Sequence, residues 1–151
     1  MQKTDDFIIN RLIWKAKKYK LPTEFSFFFT DISPVLQEYL NSQVDKENSG
    51  TPVLFFTKPT KEWTLVCTKQ VICNDNEKIF RLNIRDIKNF HLTAFEKYNS
   101  NKINIQEAKK TEWNEVTVVD YADNKYILHA DKGSDLFALW NILLMAARLY
   151  D

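Results

Sequence analysis

Few side chains in this sequence have the type needed for covalent or metal chemistry. His91, His129, Cys67 and Cys73 are its only histidines and cysteines, and a nucleophile–base pair or a soft metal site would have to draw on them. Each histidine sits between apolar neighbours in strand-like sequence, Phe90 and Leu92 for one, Leu128 and Ala130 for the other. That setting suits a hydrogen-bonded structural imidazole better than a base or a ligand. Five residues separate the two cysteines, which matches no zinc or redox motif. Inside strand-like sequence they read as small buried hydrophobes. The carboxylates Asp5–Asp6 and Glu112–Glu115 lie in polar or terminal sequence, where water solvates them. With Gly50 and Gly133 as the only glycines, the sequence has no glycine-rich loop to cradle a phosphate. The expectation is a protein with no catalytic residues, no metal and no cofactor.

The remaining chemistry is charge. Twenty-one Lys and Arg stand against 20 Asp and Glu, for a net charge of +1, whereas dedicated nucleic-acid binders carry a clear basic excess. The basic residues are concentrated at the start: Lys3, Arg11, Lys15, Lys17, Lys18 and Lys20 outweigh Asp5 and Asp6. Two readings of this segment compete. Either Arg11, Lys15, Lys17 and Lys18 face an anionic membrane or an acidic partner, with Ile9, Ile13 and Trp14 near the interface, or an apolar stripe packs on the body of the protein and the lysines keep the outside soluble. Lys58 and Lys61, in the first loop of the β-rich portion, complete the candidate contact residues. No segment has the roughly 20 apolar residues of a membrane span. Asp5, Asp6, Asn10 and Arg11 interrupt the start in a way a secretory signal would not. A cytoplasmic location is expected.

At 151 residues and 44% hydrophobic, the chain has material for one core and a short extension. Phe7, Ile8, Leu12, Ile13, Ala16 and Tyr19 recur at helical spacing and predict a helix over 5–20, capped by Thr4, Asp5 or Asp6 and stopped at Lys20 or Leu21 by Pro22. The run Phe25–Phe29 demands burial, in the core or in a subunit interface, and is left unassigned. Ser33 as cap and Pro34 at the first helical position open a second helix to about Val44. The polar stretch 41–52 is the one plausible linker. From Val53 onward, short β-rich runs alternate with turn signals. Strands are predicted at 53–57, 63–67, 70–74, 78–83, 90–98, 103–107, 115–121 and 125–130. Trp63, Leu65 and Cys67 should share one face, opposite Thr64 and Val66. Ser134 is expected to cap a last helix, over 134–150, that is apolar on nearly every side and must be covered on more than one.

About seven antiparallel strands closed by one apolar helix is the element order of the pleckstrin-homology superfold. The wording of Trp63-Thr-Leu-Val-Cys-Thr-Lys-Gln-Val-Ile-Cys73, with Phe80-Arg-Leu-Asn-Ile-Arg-Asp-Ile-Lys88, resembles bacterial pleckstrin-homology-like and GRAM-like domains. Ser134-Asp-Leu-Phe-Ala-Leu-Trp-Asn-Ile-Leu-Leu144 is similar to their closing helix. The resemblance covers residues 51–151 and implies a binding scaffold and not an activity. Members that hold phosphoinositides carry a basic residue in the first loop and a basic-x-Arg pattern on the next strand. Here Lys58 and Lys61 supply the loop, but Trp63–Cys67 has no basic residue, which argues against that headgroup site.

Together these readings predict an α+β protein: a helical extension at 1–46, then a pleckstrin-homology-like antiparallel β-barrel at 51–151 capped by a helix. The leading function is non-catalytic protein recognition. The alternatives are peripheral binding to an anionic membrane through the basic helix, and self-assembly as a homo-oligomer through the Phe-rich run and the last helix.

Overall fold

A computed structural model describes residues 3–93 and 114–150. The predicted strand at 103–107 and most of the one at 90–98 lie outside the described residues. In chain order the elements are α1 (Asp5–Lys18), β1 (Ser26–Phe28), a 3-10 turn at Phe29–Asp31, α2 (Pro34–Asn41) and the single helical turn α3 (Lys46–Ser49). There follow β2 (Pro52–Thr57), β3 (Trp63–Cys67), β4 (Gln70–Asn74), β5 (Ile79–Asn83), β6 (Ile87–Leu92), β7 (Glu115–Asp120), β8 (Lys125–His129) and α4 (Ser134–Arg148). The fold is α+β, with two antiparallel sheets ordered β1-β2-β3-β4-β5 and β6-β7-β8.

The ends of α1 follow local chemistry. Thr4 caps it, its hydroxyl accepting from Phe7 N, and Asp5 and Asp6 complement the positive end of the helix dipole. It stops at Lys18, short of the predicted Lys20 or Leu21, because Lys20 takes a left-handed φ of 65°. Leu21 N then reaches back to Ala16 O and Lys20 N to Lys17 O, the paired bonds of a Schellman stop. Ser33 caps α2 as expected, with Pro34 at its first position. Ser134 does not cap α4. Gly133, at φ 84°, makes the turn into that helix without a side-chain cap. The carboxylate of Asp135, the second residue of α4, accepts from Thr23 Oγ1 and Ser26 Oγ at 2.8–3.0 Å and ties the start of α4 to the approach to β1.

The larger sheet is buried on both faces. On one side Leu54, Phe56, Val66, Val71, Cys73 and Leu82 join Ile8, Leu12 and Ala16 of α1, Val116, Val118 and Leu128 of the second sheet, and Leu136, Leu139, Ile142 and Leu143 of α4. On the other, Phe55, Trp63, Leu65, Cys67 and Ile72 meet Phe29, Ile32 and Leu40. The alternation of β3 therefore puts Trp63, Leu65 and Cys67 on one face, and α2 with the preceding turn covers it. This second cover explains why β3 is buried at every position, and it takes up the Phe-rich run. Phe27 and Phe28 pair with Phe55 and Leu54 on the sheet edge, Phe29 is buried, and Phe27 packs on Phe55 at 6.3 Å between ring centroids. The segment before residue 46 thus contributes α1, α2 and the edge strand β1 to the same structure.

The described strands do not close into the predicted barrel. Register places Thr64 of β3 opposite Cys73 of β4, and Cys73 opposite Phe80 of β5. That row, which runs across the strands, meets successive residues of β8. Thr64 Oγ1 donates to His129 O at 2.6 Å and accepts from His129 N at 3.2 Å, and Cys73 Sγ lies 3.8 Å from Ile127 O. Phe80 stacks on Tyr126 at 5.7 Å. β8 accordingly runs across β3–β5, and side chains satisfy its outer backbone edge where a barrel would use another strand.

Two substitutions test this arrangement. Thr64→Val keeps the shape but strands both His129 backbone groups, and a cost of about 1–3 kcal/mol in urea unfolding is expected. Leu12 is fully buried, so Leu12→Ala should cost about 2–5 kcal/mol; a neutral result would make α1 an appendage outside the core.

Candidate functional site

α1 presents two opposite stripes. Ile8, Leu12 and Ala16 are spaced four apart and face the core. Phe7, Arg11, Trp14 and Lys18, at spacings of four, three and four, fall on the outer face. Phe7 and Trp14 are 43% and 42% exposed, large values for aromatic side chains on a helix whose inner face is fully covered. Arg11 Cζ and Lys18 Nζ each lie 4.2 Å from the Trp14 ring centroid, and Lys15 Nζ lies 5.9 Å from both the Trp14 and Tyr19 rings. Each close cation contributes about 0.5–1 kcal/mol at an exposed site. The result is a ridge that is aromatic at its centre and cationic along its flanks.

The structure separates the predicted contact residues. Arg11, Lys15 and Lys18 gather around Trp14, which sequence reading had placed near the interface without making it the centre. Lys17 is exposed about a quarter turn away. Lys61 is exposed at a left-handed φ of 78° in the β2–β3 turn. Lys58 is not a surface contact at all: it is 6% exposed, with its ammonium 3.2 Å from Glu62 Oε2 and 2.8 Å from His129 Nδ1. The physical reason is local. Lys58 opens the tight turn that Lys61 N closes by donating to Lys58 O, and this aims the side chain inward at β8.

That buried group is a structural polar cluster. His129 is 6% exposed. Burial and the Lys58 charge lower its pKa below the ordinary 6.5, against the pull of Glu115 and Glu62, whose carboxylates are each 3.7 Å from Nδ1. The neutral ring therefore accepts from Lys58 through Nδ1. For Glu62 burial alone would raise the pKa, but hydrogen bonds involving Thr60 and Lys58, together with the Lys58 charge, bring it down to about 2. Asn76 Nδ2 also donates to Glu62 Oε1 at 3.0 Å. The cluster joins the β2–β3 turn to β8, a role for His129 in keeping with a hydrogen-bonded structural histidine. Cys67 and Cys73 are unpaired and buried, and burial pushes their thiols up to about 12 and about 11, so neither is a ready nucleophile. Among the described residues no three of His, Cys, Asp and Glu gather as a metal site, and no helix is long and apolar enough to cross a membrane. No family model, no curated protein and no solved structure matches the chain.

The cluster predicts a two-step loss of stability in acid. His129 has a folded pKa below its unfolded 6.5, so the unfolded chain binds the proton first and stability falls as pH drops below about 6.5. Glu62, lowered from 4.5 to about 2, adds a second decline between those values. Asp135, raised above 3.8 by burial, acts with the opposite sign in the carboxylate range. Comparison with His129→Gln, in which Glu62 and Asp135 are retained, isolates the histidine: urea midpoints followed against pH should lose only the upper decline.

Proposed function

We propose that this protein is a non-catalytic binding module on a pleckstrin-homology-like scaffold, which recognises an acidic protein surface through the outer face of α1. The scaffold reading is supported by the order of the described elements from Pro52 onward, the antiparallel strands β2–β8 followed by the apolar helix α4. The recognition reading is carried by one observation: the apolar stripe Ile8–Leu12–Ala16 is committed to the core, while Phe7 and Trp14 stay outside among Arg11, Lys15 and Lys18. Exposed aromatic and Arg side chains at fixed positions are the material of interface hot spots, and the flanking cations complement carboxylates.

The same observation ranks the alternatives. A helix that lies in a bilayer surface needs a broad free apolar face, and α1 has spent that face on the core. Asp5 further tethers it by accepting from the Thr51 and Thr68 hydroxyls. Self-assembly through the Phe-rich run loses its main support, since Phe27, Phe28 and Phe29 pack within the chain.

Photo-crosslinking tests the proposal. Benzoylphenylalanine replaces Phe7 in one protein and Tyr121, which is 69% exposed, in another, and both are irradiated in an extract of the source cell. A discrete protein adduct formed only from position 7, and lost with Arg11→Glu and Trp14→Ala, is expected. Equal adducts from both positions would overturn it. Salt-sensitive flotation with anionic vesicles, abolished by Lys15→Glu and Lys18→Glu, would assign the ridge to a membrane instead.

A further inference from the structure

A cleft of about 560 Å³ opens at the end of the molecule where the start of α1, α3, the β3–β4 turn, the exit of β5 and the end of α4 converge. Its size falls within the roughly 300–1,000 Å³ of small-molecule sites. Ile8, Leu149 and Tyr150 supply apolar wall, and Lys3, Lys69 and Arg85 supply three cations. None of the three forms an ion pair with a described residue. Lys3 Nζ is held by Leu149 O at 3.0 Å and Lys69 Nζ by Glu47 O at 3.2 Å. These backbone carbonyls position the ammonium groups without neutralising them. Arg85 is exposed and makes no hydrogen bond with any described residue. The cleft also holds Asp5 and Glu47; Asp5 accepts from the Thr51 and Thr68 hydroxyls, which leave its charge in place, so the lining sets three cations against two carboxylates.

This excess of positive charge beside an apolar wall suits an anionic group on a small organic body. We propose that this cleft binds a phosphate monoester, with Arg85 engaging two phosphate oxygens in its planar fork, Lys3 and Lys69 flanking the charge, and the organic part lying against Tyr150, Leu149 and Ile8. The site is distinct from the α1 ridge and from the turn that carries Lys58 and Lys61. It needs no glycine loop, because side chains and not backbone amides supply the donors.

The test is titration of the full chain, followed by calorimetry and amide shifts, with adenosine monophosphate, glucose 6-phosphate and phosphotyrosine as probes and adenosine as the uncharged control. Saturable one-to-one binding of at least one ester at about 1 mM or tighter is expected, with shifts centred on Asn83 and Arg85. Arg85→Gln and Lys69→Gln, both at exposed positions, should each weaken it about tenfold, while Lys18→Gln should not. Vesicles containing phosphatidic acid form a further arm: flotation lost in Arg85→Gln would give the same chemistry a lipid source, and its absence a soluble one. No saturable binding by any ester or vesicle, equal binding of adenosine, or indifference to Arg85→Gln would overturn the proposal.

Discussion

The outer edge of β8 is the constraint on which the rest of the architecture turns. A strand at the edge of a sheet has backbone donors and acceptors that must be satisfied once buried. Here a single hydroxyl, that of Thr64, serves both His129 N and His129 O, with Cys73 beside Ile127 O. This lets β8 cross β3, β4 and β5 instead of extending one of them. The crossing creates the space between the sheets that α4 and α1 fill. It also places His129 over the β2–β3 turn, where Lys58 and Glu62 close the corner.

From that crossing follows the fate of α1. The core between the sheets takes the inner stripe of the helix together with α4, and nothing in the described structure covers the outer stripe. A helix can then be integral to folding and still present a recognition surface, because its two faces do different jobs. The readings that competed at the level of sequence, core packing against a charged interface, describe opposite sides of one element. Packing claims Ile8, Leu12 and Ala16; the charged face keeps Arg11, Trp14 and Lys18.

How much was legible depended on whether the determining contact was local. Caps, strand boundaries in 63–74 and the alternation that sends Trp63, Leu65 and Cys67 one way and Val66 the other are short-range properties, and the sequence carries them. Lys58 shows the limit. In sequence it is one more lysine in a polar loop; in the fold it is buried, because a histidine 71 residues away accepts its hydrogen bond. Ser134 shows another. It has the right type for a cap, but burial of Asp135 against Thr23 and Ser26 sets the geometry of that turn. Closure of the barrel was equally out of reach, since strand count does not say how the last edge is satisfied.

By itself the sequence determined an α+β chain with a capped first helix, short antiparallel strands and an apolar last helix, because propensity, capping and alternation act over a few residues. It also determined that positive charge gathers at the start of the chain. Only tertiary structure decided which of those charges meet. Four lie on one helix, yet three cluster on Trp14 and the fourth points elsewhere, since helical phase is measured against the core. Lys3, Lys69 and Arg85, scattered over more than 80 positions, come to one cleft because the chain ends and the β3–β4 turn pack together. Long-range burial sets such proximity, and no local pattern in the chain encodes it.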